Sequence, residues 1–402
     1  MKQWFEELVQ RNETKIVMVV LDGLGGLPVN GKTELEAASI PNLDALARAS
    51  ATGLHIPVSY GITPGSGPGH LGIFGYDPLE YQIGRGVLEA LGLGIELKNT
   101  DVAMRGNYAT VKDGIIQDRR AGRIPTEEAR VLTERLQNEI KNIDGVEIIF
   151  RQGMEYRFAV VMRFPEPLIE GSAMVNDTDP QKTGKPPLRP QPMNERSEKV
   201  AMVAEKLIQK ASDVLRDQNR ANYILLRGFS QAPHIPSFED NFGLRALAIA
   251  VYPMYRGLAS LVGMDTPMVE GDIEEELNFL IQKFNEYDFF FVHIKKIDSY
   301  GEDGNFEAKV KKIEEFDKYL PRILELKPDV LIITGDHSTP ALLKNHSWHP
   351  VPIILHAPYV LGGTSSSFTE RECLKGELGI FPSKYILPLA LANSGRLKKY
   401  GA

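Results

Sequence analysis

Cysteine is all but missing from this sequence. Cys373 stands alone, which excludes an intrachain disulfide framework and suits a reducing compartment. A basic excess is missing too. Lys and Arg total 46 against 53 Asp and Glu, a net charge of −7. That balance lacks the cationic footprint of a nucleic-acid or anionic-lipid binder. No apolar run approaches the roughly 20 residues needed to span a bilayer. The N-terminal "MKQWFEELVQRNETK" is amphipathic and mixed in charge, without the apolar centre of a signal peptide. No internal repeat or low-complexity tract is seen. The expectation is a soluble cytoplasmic protein that binds neither nucleic acid nor membrane. What is present is ordinary globular composition, and 402 residues suffice for two or three domains.

The chain changes texture twice. "KIVMVVLDG" is a short β-branched run ending in Asp22 and reads as a buried parallel strand. "IPNLDALARAS" follows with helical spacing and an early proline. After about residue 100, "MRGNYATVKDGIIQDRR" reads as a hairpin around Asp113-Gly114. "TEEARVLTERLQNEI" reads as a helix with a Thr cap and an acidic first turn. "VEIIFRQG" and "EYRFAVVMRF" read as paired strands, and "NERSEKVAMVAEKLIQKASDVLRDQ" as a long amphipathic helix. Near residue 245 strand–helix alternation returns, through "RALAIAVYP", "YDFFFVHIKKID", "PDVLIITGDH" and "VPIILHAP". The fold class expected is α/β, a largely parallel sheet flanked by helices, interrupted by a smaller α+β domain. The boundaries expected are 1–100 with 244–402 for the sheet domain and 101–243 for the insertion.

The stretch "GITPGSGPGHLGIFGYDP" carries six glycines and three prolines around one serine, Ser66. Such density means either a surface loop or backbone that must turn or approach something closely. The other strand ends favour the second. "HIKKID" ends at Asp298, "LIITGDH" at Asp336 and His337, and "KNHSWHP" offers His346 and His349. A lone aspartate after a strand is most often a cap or turn residue. Several together at the carboxyl ends of parallel strands point into one crevice. A mixed Asp/His set suits Zn, Mn or Co, and Ser66 adds a nucleophile that a metal activates. The site parts lie on both sides of the middle block, so the expected design is a discontinuous metal domain with the insertion closing over the same crevice.

"VMVVLDGLGG", "TPGSGPGHLGIFGYDP", "RGNYAT", "DRRAGR", "LLRG", "HIKKID", "ITGDHSTP" and "HSWHPVP", in this order, resemble the archaeal-type branch of cofactor-independent phosphoglycerate mutases. That branch sits in the alkaline phosphatase superfamily. The resemblance covers nearly the whole chain. It implies an alkaline-phosphatase-like sheet domain, two divalent ions (Mn, Co, Zn or Mg), no 2,3-bisphosphoglycerate, and a serine nucleophile. By matched position it implies Asp22, Ser66, Asp336 and His337 as ligands of one ion, and Asp298 and His346 of the other. The family pattern has a histidine four residues after that aspartate, where this chain has Glu302. It has an aspartate before "PVP", where this chain has His349.

The resemblance assigns the inserted domain to the phosphoglycerate anion. Arginine suits it, because the guanidinium fork matches phosphate and carboxylate. The candidates are Arg119, Arg120 and Arg123 of "DRRAGR", with Arg105, Arg157, Arg227 and Arg256. Lys295 of "HIKK" and Asp118, a proton acceptor from glycerate, complete the catalytic set with Ser66. The reaction implied is interconversion of 2- and 3-phosphoglycerate through a phosphoserine. The competing readings are a phosphomonoesterase or other phosphotransferase on the same core, and a binding protein without catalysis.

Overall fold

The computed structural model describes residue 5 and residues 7–401. Residues 1–4 and 6 of the amphipathic N-terminal segment lie outside the described residues. The chain forms two compact units, one running to Gln82 and resuming at Ile235, the other spanning Ile83–His234.

The larger unit is built on a seven-stranded sheet. Its order is Gly379–Pro382, Ala51–Ile56, Val351–His356, Val330–Thr334, Ile16–Leu21, Phe289–Ile294, Ala246–Ala250. Only Val351–His356 runs against the other six. The largely parallel sheet expected from the sequence is therefore present. Its central strands "IVMVVL", "FFFVHI" and "VLIIT" are buried at every residue, as parallel strands covered on both faces must be. Helices Ile273–Lys283 and Phe306–Leu324 turn apolar stripes onto this sheet through Leu277, Leu280, Ile313, Phe316 and Leu320. Leu21 hands directly to Asp22, and Thr334 is two residues from Asp336. Asp298 differs from expectation. The strand stops at Ile294, and Asp298 stands in the first turn of a short helix, Lys296–Glu302.

The smaller unit is an antiparallel sheet. Its hub is the twelve-residue strand Asp101–Lys112, which pairs with Ile115–Asp118, Arg157–Arg163 and Tyr223–Ser230. The Asp113-Gly114 hairpin forms, with φ of 51° and 73°, the left-handed pair that a two-residue turn needs. Helices Thr126–Glu139 and Glu198–Leu215 share this unit's core. Thr126 is not the cap. Pro125 holds that position, and the Thr126 hydroxyl accepts the Glu155 amide at 2.9 Å.

The unit boundaries fall at 82/83 and 234/235, not at 100/101 and 243/244. The reason is helix Arg85–Gly92, which lies against the hub strand. A Cβ at Gly86 would stand 2.1 Å from the Ala103 carbonyl oxygen. That approach ties the helix to the antiparallel sheet, a long-range contact that local composition does not encode.

Candidate active site

Three parallel strands deliver carboxylates and histidines to one place in the larger unit. Asp22, Asp336 and His337 group their ligand-type atoms within 4.8 Å of one another, as do Asp298, His337 and His346. His337 belongs to both groups. Its Nε2 lies 3.1 Å from Asp336 Oδ2 and 3.5 Å from Asp22 Oδ1. Its Nδ1 meets the Thr339 hydroxyl at 3.0 Å, and that hydroxyl donates to Asp298 Oδ1 at 2.7 Å. A hydroxyl that gives its one proton to Asp298 must accept from His337, so the imidazole carries its proton on Nδ1 and leaves the Nε2 lone pair free. Burial keeps this imidazole well below its ordinary pKa against the pull of Asp22, and hence neutral. His346 is oriented the same way. Its Nδ1 donates to the Pro64 carbonyl at 2.9 Å, and its Nε2 faces Asp298 at 3.5 Å and Glu302 at 3.6 Å.

Asp22 and Asp336 are fully buried and titrate apart. Burial raises Asp336 well above the carboxylate range, and the Asp22 charge adds to the rise. Burial alone would raise Asp22 as well. His293, Lys295 and His337 outweigh it and bring Asp22 well below its ordinary value. Three buried atoms, Asp22 Oδ1, Asp336 Oδ2 and His337 Nε2, have no hydrogen-bond partner. Orphaned acceptors of this kind, converging from two carboxylates and a neutral imidazole, are the donor set of a divalent cation.

Ser66 opens helix Ser66–Ile73, with Gly65 at the cap. The glycines around it have specific work. A Cβ at Gly69 would stand 2.6 Å from the Asp336 carbonyl oxygen, so only glycine lets this helix rest on the loop carrying Asp336. His70, one turn after Ser66, donates from Nδ1 to the Ser66 carbonyl at 2.8 Å and lies 3.2 Å from Asp336 Oδ2. Lys295 bridges the two groups. Its ammonium bonds Asp298 Oδ2 and reaches Asp22 Oδ2 at 3.1 Å. Burial would lower it, but the two aspartates raise it above its ordinary value.

Glu302 is half exposed and stands outside both ligand groups. Its carboxyl is raised by burial and by Asp298. His349 turns elsewhere, to the Ser347 hydroxyl and the face of Trp348.

Within the smaller unit, the candidate arginines separate. Arg119 forms a two-pronged pair with the buried Asp179, at 2.7 and 2.6 Å. Both Asp118 oxygens accept backbone amides, from Arg120 and Gly122, each at 2.8 Å, so this carboxylate builds the turn of "DRRAGR". Arg120 and Arg123 are exposed. Arg105 and Arg227 face each other across paired strands, and Arg105 and Arg157 each keep a buried Nε with no acceptor. Burial lowers the Arg105 guanidinium, Glu89 opposes this, and Arg157 adds like charge. Arg256 belongs to the larger unit, where it bonds the carbonyls of Ala250 and Val251 at 3.1 and 2.7 Å.

Sequence reasoning missed His70, His293, Tyr255 and Thr339. The i, i+4 spacing from Ser66 could have found His70. The other three approach through tertiary contacts with no local signature. His293 Nε2 lies 3.4 Å from Asp22 Oδ2, and its ring stacks on Tyr255.

A serine at a helix start, set in an α/β sheet beside two carboxylate–histidine groups that share one imidazole, defines a phosphoryl-transfer class of site. Comparison with known proteins is more specific. The family model for 2,3-bisphosphoglycerate-independent phosphoglycerate mutase matches residues 47–220. An Aquifex aeolicus protein named probable 2,3-bisphosphoglycerate-independent phosphoglycerate mutase is 66% identical, over 98% of this chain and 99% of its own. A Thermotoga neapolitana protein of the same name is 53% identical, over 100% and 99%. The solved cofactor-independent phosphoglycerate mutase of Thermoplasma acidophilum is 28% identical with a TM-score of 0.77, covering 95% of this chain and all of that one. The chain belongs to the 2,3-bisphosphoglycerate-independent phosphoglycerate mutase family. It is thus an enzyme of the phosphoglycerate mutase type, as the sequence motifs implied. Among the described residues, no helix is long and apolar enough to cross a membrane.

Proposed function

We propose that this enzyme interconverts 2- and 3-phosphoglycerate through a phosphoserine on Ser66. The observation that carries the reading is the placement of Ser66 on a helix that contacts Asp336, beside three orphaned buried ligand atoms. Asp22, Asp336 and His337, with Ser66, would hold one divalent ion. Asp298 and His346 would hold the other, with Glu302 as an oxygen donor in reach of His346. Bound ions would supply Lewis-acid neutralisation of phosphate charge and favour ionisation of the serine hydroxyl. The Asp/His donor set suits Mn, Co or Zn better than Mg.

The chain's own residues carry the transfer. Ser66 Oγ attacks phosphorus, an O–P bond forms, and the bond to the glycerate oxygen breaks. That oxygen takes up the proton that Ser66 gives up, and the other glycerate hydroxyl then attacks the phosphoserine, its own proton returning to the Ser66 oxygen as the Ser66 O–P bond breaks. The amides opening helix Ser66–Ile73 face the phosphoryl oxygens. Lys295 neutralises charge between Asp22 and Asp298. Arg105, Arg157 and Arg227 of the smaller unit are assigned to the glycerate anion, a role favoured for Arg105 and Arg157 by a buried Nε without a hydrogen-bond partner. Asp118 and Arg119, committed to a turn and an ion pair, take structural parts in this reading.

The test is a coupled 3-phosphoglycerate assay without 2,3-bisphosphoglycerate, run on metal-stripped enzyme reloaded separately with Mn, Co, Zn or Mg. Wild type quenched during turnover should carry phosphate on the 61–70 segment, and Ser66→Ala should lose both phosphate and turnover. Full activity of Ser66→Ala overturns the phosphoserine. Release of inorganic phosphate in place of the isomeric product would favour the phosphomonoesterase.

A further inference from the structure

Tyr255 is a fully buried phenol that the reaction as drawn does not use. It stands on helix Pro253–Leu261, directly after the edge strand Ala246–Ala250. Its hydroxyl donates to Asp22 Oδ2 at 2.6 Å. Its ring stacks on His293, with centroids 3.7 Å apart and 26° between planes. The Lys295 ammonium stands 5.7 Å from the ring centroid.

The two oxygens of Asp22 are thereby made unequal. Oδ2 takes Tyr255, with Lys295 at 3.1 Å and His293 at 3.4 Å. Oδ1 has no hydrogen-bond partner and faces His337 Nε2 at 3.5 Å. A carboxylate free to rotate would present either oxygen, and a bidentate grip on a cation would compete with a single-oxygen one. We infer that Tyr255 is a positioning residue: its hydroxyl pins Asp22 through Oδ2 and reserves Oδ1 for a cation. The inference rests on the phosphoserine reading above. It adds a neutral donor, contributed by a helix outside the motif strands, that orients the Asp22 carboxylate.

Tyr255→Phe removes one oxygen and keeps the ring stacked on His293, so it separates the hydroxyl from packing. We expect the variant to fold with an unchanged far-ultraviolet spectrum. In single turnover with 3-phosphoglycerate, phosphoserine should form about tenfold to a hundredfold more slowly, the worth of one hydrogen bond to a charged group. KM should stay within about twofold, because the grip on glycerate is untouched. Titration with Mn alone should show weaker binding at one of the two sites, by about tenfold. Tyr255→Ala should form phosphoserine no faster than Tyr255→Phe while also melting lower. Wild-type rates and Mn affinity in Tyr255→Phe would overturn the inference. So would a loss appearing only in Tyr255→Ala, which assigns the residue to packing. Active Ser66→Ala with no phosphoserine in wild type would overturn the underlying reading instead, so the two failures are distinguishable.

Discussion

The imidazoles of His337 and His346 stack with centroids 3.6 Å apart and 25° between their planes. Each is anchored through Nδ1, to Thr339 and to the Pro64 carbonyl, so both present Nε2 lone pairs side by side. Only His337 contributes to both ligand groups. Its single free lone pair serves one ion at a time and faces Asp22 and Asp336, so His337→Ala should weaken chiefly the ion at Asp22 and Asp336. His346→Ala should weaken only the ion at Asp298, and Asp336→Ala only the ion at Asp22. Bound-metal stoichiometry after dialysis checks this. Loss of both tightly bound ions in His337→Ala would overturn the assignment of the imidazole to a single site.

The arginines of the smaller unit should divide by role. Asp179 is buried, and Arg119 holds its carboxyl below the ordinary value against the opposing effect of burial. Arg119→Ala leaves that carboxylate short of a partner and should cost about 1.5–3 kcal/mol of stability, with a smaller effect on KM. The depressed pKa makes the pair's contribution present above the ordinary carboxylate range and lost as pH falls through it. Arg105→Ala should do the opposite. Its Nε makes no hydrogen bond and only a loose 3.7 Å ion pair with Glu89, so stability should change little while KM for phosphoglycerate rises roughly tenfold to a hundredfold. The share of turnovers ending in inorganic phosphate should also rise, since a loosely held glycerate concedes the phosphoserine to water. Thermal melts, KM and product partition measured on both variants decide the assignment.

Glu276 predicts a pH dependence unrelated to the reaction. It is buried on helix Ile273–Lys283. Burial pushes its carboxyl from 4.5 up to about 8, aided by Asp272 and opposed by the Val251 backbone and Lys312. Between those values the folded state holds a proton that the unfolded state has released. Its stability therefore falls as pH rises through that window, and the full penalty stands above pH 8. Glu276→Gln stays neutral throughout. Its melting temperature relative to wild type should be higher at pH 9 than at pH 5, and a pH-independent difference would show that Glu276 is ionised at little cost.

The chemistry-bearing residues were legible because of how parallel strands are built. A strand buried on both faces is written as an unbroken apolar run, so the first polar residue after it stands out. Asp22, Asp336 and His337 were read in that way, and Ser66 by its glycines. Those glycines have a cause that only packing reveals, since Gly69 is required by the approach of the Asp336 carbonyl. The hairpin at Asp113-Gly114 was equally local. By contrast, Tyr255 meets Asp22 across 233 positions, and no periodicity marks it. The pairing of Arg119 with Asp179, the sharing of His337 and the docking of Arg85–Gly92 on the antiparallel sheet are of the same kind. Local sequence determines which residues can serve as ligands, nucleophiles and anion clamps, because side-chain chemistry and strand or turn propensity act over a few residues. The tertiary structure decides which of them are spent on ion pairs and turns and which are left unpaired. That outcome depends on burial and on partners supplied by distant parts of the chain.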